Sequence, residues 1–230
     1  MEKKQNREQA LRYERKFIVP DELKRNIDYM IAMHPAIFTE IYHQRCVNNI
    51  YFDSIEYNCY HENISGIANR KKIRLRWYGE LYGTIQGVLE VKVKNGTTGY
   101  KQSFPLPSFH FTDQTNISDI KELLIGARIP EYIRQELFTL DMSLLNCYSR
   151  RYFLSLDQHF RITLDSQLKY FRVDNNANNS ESFMTKDYSM ILELKYAKEK
   201  DVYADYISNK FPFRITRNSK YIIGINYIRV

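Results

Sequence analysis

Several segments of this sequence alternate between apolar and charged residues with a period of two. In "KKIRLRWYG", residues 71–79, Ile73 and Leu75 alternate with Lys72, Arg74 and Arg76. Because successive side chains of a β-strand point to opposite faces, this pattern predicts strands with one apolar and one charged face. A sheet of such strands must cover its apolar face and provide partners for its cations.

Strand candidates lie on both sides of a helical region. Before that region come a short helix, for which Asp21 is a cap candidate, and the strand segments "LRYERKFIV", "CVNNIYFDS", "KKIRLRWYG", "GVLEVKVKNG" and "GYKQSFPL". The turn residues "NGTTG" predict a hairpin over residues 88–104. The helical region holds "SDIKELLIGAR", with Ser118 as cap candidate, and "PEYIRQELFTL", which opens on Pro130.

The strand pattern then returns in "NCYSRRYFLSL", "FRITLDSQLKYFRV", "MILELKYA" and "YIIGINYIRV". An amphipathic helix, "KDVYADYISNKF", separates the last two, and the polar segment "DNNANNSES" is predicted to be a loop. Hairpins rather than βαβ units connect the strands. The order therefore predicts a single antiparallel α+β domain over residues 1–230, with a closed or nearly closed barrel.

The predicted charged faces are rich in arginine and lysine, with isolated carboxylates among them. A half-buried sheet that shows polar residues to water would also alternate, and this alternative stays open for any single strand. Taken together the strands favour an enclosed interior, where crowded cations repel one another unless an anion neutralises them. Arginine suits a phosphate partner because its planar fork grips phosphate oxygens in pairs. The faces comprise Arg12, Glu14 and Lys16; Lys72, Arg74 and Arg76; Glu90, Lys92 and Lys94; Arg161, Thr163 and Asp165; Glu193 and Lys195.

Composition narrows the classes of partner. The net charge of +7 favours an anionic partner without choosing between nucleic acid, anionic lipid and phosphorylated metabolite. Only eight glycines argue against a glycine-rich nucleotide loop, and no motif supports a specific nucleic-acid partner. The aromatic residues, Trp77 and Tyr78 among them, are interpreted as core or rim residues rather than base-stacking platforms. Three cysteines without ligand spacing, no secretory signal and no apolar run of about 20 residues predict a cytoplasmic chain without a transmembrane segment.

A carboxylate among phosphate-binding cations predicts a divalent metal ion. Mg²⁺ and Mn²⁺ bind between carboxylate and phosphate oxygens. Glu193 in "ILELKY" is the first candidate, and an internal salt bridge to a neighbouring arginine is an equally weighted alternative. Glu14 and Glu90 have the same two interpretations, with charge balancing favoured.

An ordered set of motifs resembles the VTC domain of polyphosphate polymerases, in the triphosphate tunnel metalloenzyme (CYTH-like) superfamily. The set covers nearly the whole chain and comprises "RYERKF", "NNIYFDS", "IRLRWYG", "LEVKVK", "GYKQSF", "YSRRYF", "RITLD", "LELKY" and "SKYIIG". The resemblance implies an eight-stranded antiparallel barrel with helices packed outside. It also implies a basic interior that binds triphosphate or polyphosphate.

Carried over by motif, the resemblance assigns Glu193 to Mn²⁺ or Mg²⁺ and assigns catalysis to Glu193 with Arg74, Arg76 and Lys220. In "YSRRYF" the spacing favours Arg150 over Arg151 by a small margin. The implied phosphate-binding residues are Arg12, Lys16, Arg74, Arg76, Lys92, Lys101, Arg150, Arg161 and Lys220.

One position departs from the hydrolytic members of that superfamily. They open with Glu-x-Glu-x-Lys, whereas this chain has Arg12, Glu14 and Lys16 at the same spacing. Replacing the first acid by a base favours a polymerase that transfers the γ-phosphate of ATP to a polyphosphate chain. A triphosphatase acting on inorganic or nucleoside triphosphate, and a binding module for polyphosphate without activity, remain alternatives. Whether a membrane partner exports the product is open.

Overall fold

The computed structural model describes residues 12–96, 98–173 and 184–229, with Arg12 and Thr98 described by their backbone alone. The predicted loop "DNNANNSES" lies outside the described residues. Within the described ranges there are nine strands, all joined in one antiparallel sheet. They are β1 (Arg12–Val19), β2 (Thr39–Asp53), β3 (Asn69–Tyr78), β4 (Gly83–Asn95), β5 (Thr98–Phe111), β6 (Asp141–Leu154), β7 (Phe160–Phe171), β8 (Met184–Asp187) and β9 (Met190–Ala197).

Eight of these strands follow one another in the order β1-β9-β7-β6-β2-β3-β4-β5, and β8 pairs with β7 beside this path. The predicted hairpin is present as β4 and β5, and Asn95 pairs with Thr98 across its turn. The expected closed barrel is not confirmed, because in the described part of the chain no hydrogen-bonded ladder joins β1 to β5. The sheet nevertheless curls, since Lys92 of β4 lies within electrostatic reach of Glu14 and Lys16 of β1.

Six α-helices lie in the described ranges, and two short 3-10 turns precede the first and fifth of them. The helices are α1 (Ile27–Ala32), α2 (Asn58–Ile64), α3 (Ile117–Ile125), α4 (Glu131–Phe138), α5 (Asp201–Ser208) and α6 (Lys220–Ile228). Within these residues no helix combines the length and apolar character needed to cross a bilayer.

Helices cover the apolar face of the sheet in two places. Ile120 of α3 and Ile133 of α4 are buried in the same core cluster as Leu75 and Leu89 of β3 and β4. Ile31 of α1 and Ile207 of α5 are buried with strands β1, β7 and β9 in a second cluster. The apolar face therefore points outward to helices, and the charged face is the concave one, as the alternation predicted.

Helix α6 overturns one strand prediction and one packing expectation. "YIIGINYIRV" was predicted to be a strand, but residues 220–228 are helical, and the Ser219 hydroxyl accepts a hydrogen bond from the Ile222 backbone amide. A short apolar run with isoleucines reads equally as a strand or a buried helix. The helix packs with Leu144, Tyr148 and Ile191, which share strand faces with charged interior residues, so it is not outside the sheet.

Both predicted helix caps are wrong. Asp21 lies inside the first turn of a 3-10 helix that follows Pro20, and its side chain caps nothing there. Asn116, not Ser118, caps α3, since its side chain accepts from the backbone amides of Ser118 and Asp119 while Asp119 accepts from Asn116. Asn is as good a cap as Ser, so only the backbone geometry distinguishes the two candidates.

Candidate polyanion site on the concave face of the sheet

Glu193 of β9 lies on the concave face, and both of its carboxylate oxygens contact cations. Its Oε2 lies 2.6 Å from Lys195 Nζ and 3.3 Å from an Arg150 nitrogen. Its Oε1 lies 3.2 Å from Lys16 Nζ and 3.7 Å from Lys220 Nζ. Burial alone would raise the pKa of Glu193, but these four cations hold it well below its usual range. The carboxylate is therefore ionised and shared by cations from four elements.

Asp165 of β7 is a second buried carboxylate, and it binds two of the same cations. Arg150 donates to it through two nitrogens at 2.5 and 2.6 Å, and Lys220 Nζ lies 2.5 Å away. Burial opposes ionisation, yet Lys220 and Arg150 lower the pKa of Asp165. The bidentate pair fixes the guanidinium plane of Arg150, and the contact with Lys220 ties the first turn of α6 to β7.

Glu90 of β4 organises a third group of cations. Its Oε2 lies 2.6 Å from Arg74 and 3.7 Å from Arg76, and its Oε1 lies 2.6 Å from Lys101 Nζ. Despite burial, Arg74 and Arg76 with Lys101 hold the pKa of Glu90 far below its usual range. Arg76 also donates from Nε to Asn49 Oδ1 at 2.8 Å. The two arginines are thus oriented before any ligand arrives.

Three lysines form a row across neighbouring strands, because Lys72 pairs with Lys92 and Lys92 with Lys101 in the sheet register. Among the described residues, no carboxylate lies within 4 Å of the ammonium groups of Lys72 or Lys92; Lys72 Nζ donates to Ser219 Oγ at 3.0 Å. Burial and repulsion from Lys16 and Lys92 lower the pKa of Lys72 to about 7. Like charges opposite one another destabilise a sheet, so this row is suited to an added anion.

Tyr148 of β6 lies among the cations that Glu193 and Glu90 do not fully neutralise. Its hydroxyl accepts from Arg76 at 3.3 Å, and its ring centre lies 5.2 Å from the Arg150 guanidinium carbon and 4.8 Å from Lys220 Nζ. Burial would raise the pKa of this phenol, but Arg150 and Arg76 outweigh it and lower the pKa. The excess positive charge of the site therefore also favours the ionised form of the Tyr148 hydroxyl.

The structure brings most of the predicted site residues together. Arg161 lies exposed near the start of β7 and takes part in none of these contacts in the described part of the chain. Arg12 faces Ala197 in the backbone register, and its side chain lies outside the described residues. Arg150 is buried in the site, whereas Arg151 pairs with Glu40 and Asp28 on the other face. Those brought together are Lys16, Arg74, Arg76, Lys92, Lys101, Arg150, Glu193 and Lys220.

Sequence reasoning did not assign five residues that the structure places in the site: Lys72, Tyr148, Asp165, Lys195 and Ser219. Alternation did put Lys72, Asp165 and Lys195 on charged faces, so this signal was available. Nothing local in the sequence marks Tyr148 or Ser219, because their hydrogen-bond partners in the site, Arg76 and Lys72, lie on the distant strand β3.

The described carboxylates of this face are paired with cations and are not clustered around a common point; they are Glu14, Glu90, Asp165 and Glu193. The described ranges contain no cluster of three His, Cys, Asp or Glu side chains that could hold a metal ion. A Mg²⁺ or Mn²⁺ ion in such a site commonly takes one or two carboxylates and completes its shell with substrate phosphates and water. Glu193, ionised and adjacent to the cations, fits that one-carboxylate role, and phosphate would have to supply other ligands.

The architecture is shared with three solved structures of low sequence identity. One is a candidate adenylyl cyclase from Hippeastrum with a dominant triphosphatase activity (TM-score 0.56, 12% identity, covering 94% of this chain and 95% of that chain). Others are a candidate adenylate cyclase from Vibrio parahaemolyticus (0.53, 13%, 93% and 98%) and a protein from Pyrococcus horikoshii (0.53, 14%, 94% and 98%). The chain therefore shares the fold of these three structures.

Comparison with protein-family models identifies the family of this chain, which is more specific than its fold. The model of the VTC domain matches residues 11–229, nearly the whole chain, and the chain belongs to the VTC domain family. No curated protein matches the sequence. The resemblance drawn from the ordered motifs is thereby confirmed at the level of the family.

Proposed function

We propose that this chain is a polyphosphate polymerase that transfers the γ-phosphate of ATP to a growing polyphosphate chain. The observation that carries the proposal is the concave face itself, where cations outnumber carboxylates and Lys72 and Lys92 have no carboxylate partner within 4 Å in the described residues. Membership of the VTC family supports the same chemistry. A linear polyanion is the ligand that neutralises such a face along its length.

The protein groups act by holding phosphates and neutralising charge. Arg74, Arg76 and Arg150 offer planar forks that are fixed by Glu90 and Asp165, so little orientation is lost on binding. In an in-line transfer, an oxygen of the chain's terminal phosphate bonds to the γ-phosphorus while the bond from that phosphorus to the β–γ bridging oxygen breaks. Lys220 and the arginines stabilise the charge on the ADP that leaves.

The proposal includes a divalent metal ion that would bind to Glu193. Mn²⁺ or Mg²⁺ bound there would neutralise phosphate charge and polarise the γ-phosphoryl group. In this structure the carboxylate of Glu193 forms ion pairs with Lys16, Lys195, Arg150 and Lys220. When a metal ion binds Glu193, these cationic groups must turn from the carboxylate toward the phosphates. The salt-bridge and metal interpretations of Glu193 thus describe two ligand states.

Product analysis tests the proposal directly. Purified protein is incubated with ATP and Mn²⁺ or Mg²⁺, and polymer is resolved from orthophosphate. We expect polymer from the wild-type protein and a loss of roughly 100-fold in Arg74→Gln, because a fixed phosphate contact is removed. Arg134→Gln is the matched control, since Arg134 pairs with Glu131 on α4, away from the concave face.

Other products decide between the alternatives. Orthophosphate without polymer would replace the polymerase by a triphosphatase, the activity described for the Hippeastrum protein. Polyphosphate binding without turnover of ATP in either metal would instead identify a binding module.

A further inference from the structure

Three tyrosines surround Arg45 where β2, β3 and β6 meet. The guanidinium carbon of Arg45 lies 4.7 Å from the ring centre of Tyr42, 5.8 Å from Tyr152 and 5.9 Å from Tyr78. The rings of Tyr42 and Tyr152 meet edge to face at 5.7 Å. Tyr42 and Tyr78 are 48% and 50% exposed. Arg45 is itself exposed and forms no ion pair in the described part of the chain, and its guanidinium group lies over three aromatic rings.

This aromatic cluster adjoins the phosphate-binding cations. Tyr78 follows Arg76 by two residues on β3, and Tyr152 follows Arg150 by two residues on β6, so each tyrosine shares a strand face with the arginine before it. Arg45 is the register partner of Arg150 across β2 and β6. Two residues of a strand span roughly 6.6 Å, so Tyr78 and Tyr152 lie about that far along the strands from Arg76 and Arg150. This separation is comparable to the length of the ribose that joins a base to its phosphates.

The chemistry of the cluster differs from that of the rest of the face. Aromatic ring faces carry negative partial charge and offer a phosphate chain no favourable contact. Half-exposed tyrosines beside Arg45, which has no carboxylate partner among the described residues, are suited to a flat aromatic ligand that stacks on the rings and on the guanidinium plane. A nucleobase is such a ligand, and in a nucleoside triphosphate it is attached to phosphates that the adjoining arginines can hold.

We infer that Arg45, Tyr42, Tyr78 and Tyr152 form the subsite that binds the nucleobase of the nucleoside triphosphate, and this replaces the interpretation of Tyr78 as a core or rim residue without a stacking role. The inference rests on the proposed function, because it assumes that Arg76 and Arg150 bind phosphates. The base lies at the exposed cluster, and the phosphates extend from there towards Glu193 and Lys220.

Paired titrations test the subsite. ATP and inorganic triphosphate are titrated without divalent metal, which prevents turnover, into the wild-type protein and a Tyr42→Leu, Tyr78→Leu double variant. We expect the wild type to bind ATP more tightly, and the variant to lose about tenfold or more in ATP affinity with inorganic triphosphate unchanged. Tyr29→Leu, at a position 67% exposed on α1, is the matched control and changes neither affinity.

A second, more conservative variant tests the subsite independently, in case the double variant does not fold. Arg45→Lys keeps the charge but removes the planar group, so it should weaken ATP binding several-fold and leave inorganic triphosphate unchanged. Equal losses for both ligands in both variants, or no loss for ATP, would overturn the nucleobase subsite while leaving triphosphate binding intact. If the wild type binds neither ligand, the proposed function fails and the subsite fails with it.

Discussion

Lys72 is the cation that the unliganded site accommodates least well. Its ammonium group is partly buried near Lys16 and Lys92, and these surroundings lower its pKa to about 7. An unfolded lysine titrates near pH 10.4, so between about pH 7 and 10 the folded chain binds fewer protons than the unfolded chain. The contribution of Lys72 to the free energy of unfolding therefore rises with pH in that window and is lost as the pH falls through 7.

Triphosphate binding should raise the lowered pKa of Lys72, and the complex should therefore take up protons as it forms. At pH 8 much of Lys72 is neutral, and a bound polyanion favours its charged form, so affinity should fall as the pH rises from 7 to 9. Calorimetric titration of triphosphate in two buffers of different ionisation enthalpy measures the uptake. Lys72→Gln should reduce it, whereas Lys71→Gln should not, because Lys71 pairs with Glu136 on the outer face. Identical uptake in all three proteins would mean that Lys72 does not contact the ligand.

Glu90 of β4 and Glu193 of β9 each form ion pairs with a group of cations. Substitutions of these two residues can therefore be compared as a matched pair. Glu90→Gln and Glu193→Gln both release cations from an internal carboxylate, so both should strengthen metal-free triphosphate binding. Each should also lower the free energy of unfolding of the unliganded protein by about 3 kcal/mol, because buried cations lose a partner. Melting curves with and without triphosphate measure the two opposite effects.

Only one of the pair should affect metal dependence. If Glu193 holds the divalent ion, Glu193→Gln loses the gain in affinity that Mn²⁺ gives and loses roughly 100-fold or more in turnover. Glu90→Gln should keep the response to Mn²⁺. Parallel titrations with and without Mn²⁺ distinguish the variants, and an equal Mn²⁺ response in both would show that Glu193 is a salt-bridge residue alone.

At the scale of the whole molecule, α6 links the site to the core. Lys220 at its first turn reaches Asp165, while Gly224 one turn later lies against the buried side chains of Leu144 and Tyr170. A Cβ atom on Gly224 would lie 2.5 Å from a Leu144 methyl group and 2.6 Å from the Tyr170 ring. The position of Lys220 therefore depends on a glycine in the interior of the fold.

Gly224→Ala should consequently lower both stability and affinity. We expect a loss of about 1–3 kcal/mol in the free energy of unfolding, because the helix must shift away from packed side chains. Triphosphate affinity should fall with it as Lys220 moves. Gly126→Ala is the matched control, since a Cβ there meets nothing closer than 3.9 Å. A destabilised Gly224→Ala protein with unchanged affinity would show that Lys220 does not depend on the seating of α6.

Alternation alone predicted most strands and the division between apolar and charged faces, since a period of two follows directly from strand geometry. It also put Lys72, Arg74 and Arg76 on one side of β3 without knowledge of their partners. It could not distinguish strand from helix for residues 220–228, because a short run of isoleucine and tyrosine suits either when buried. Tertiary packing on Leu144 and Tyr170 settled that segment as a helix.

The individual contacts of the site were decided by tertiary structure. The sequence determined that many cations share faces with few carboxylates, because composition and alternation are local properties of the chain. Which carboxylate neutralises which cation depends on sheet register and on the curl that brings β1 near β4, and these bring together residues as distant as Lys16 and Lys220. Asp165 gained its role, and Arg161 remained exposed, for the same reason: strand register, not residue type, fixes the distance between charges.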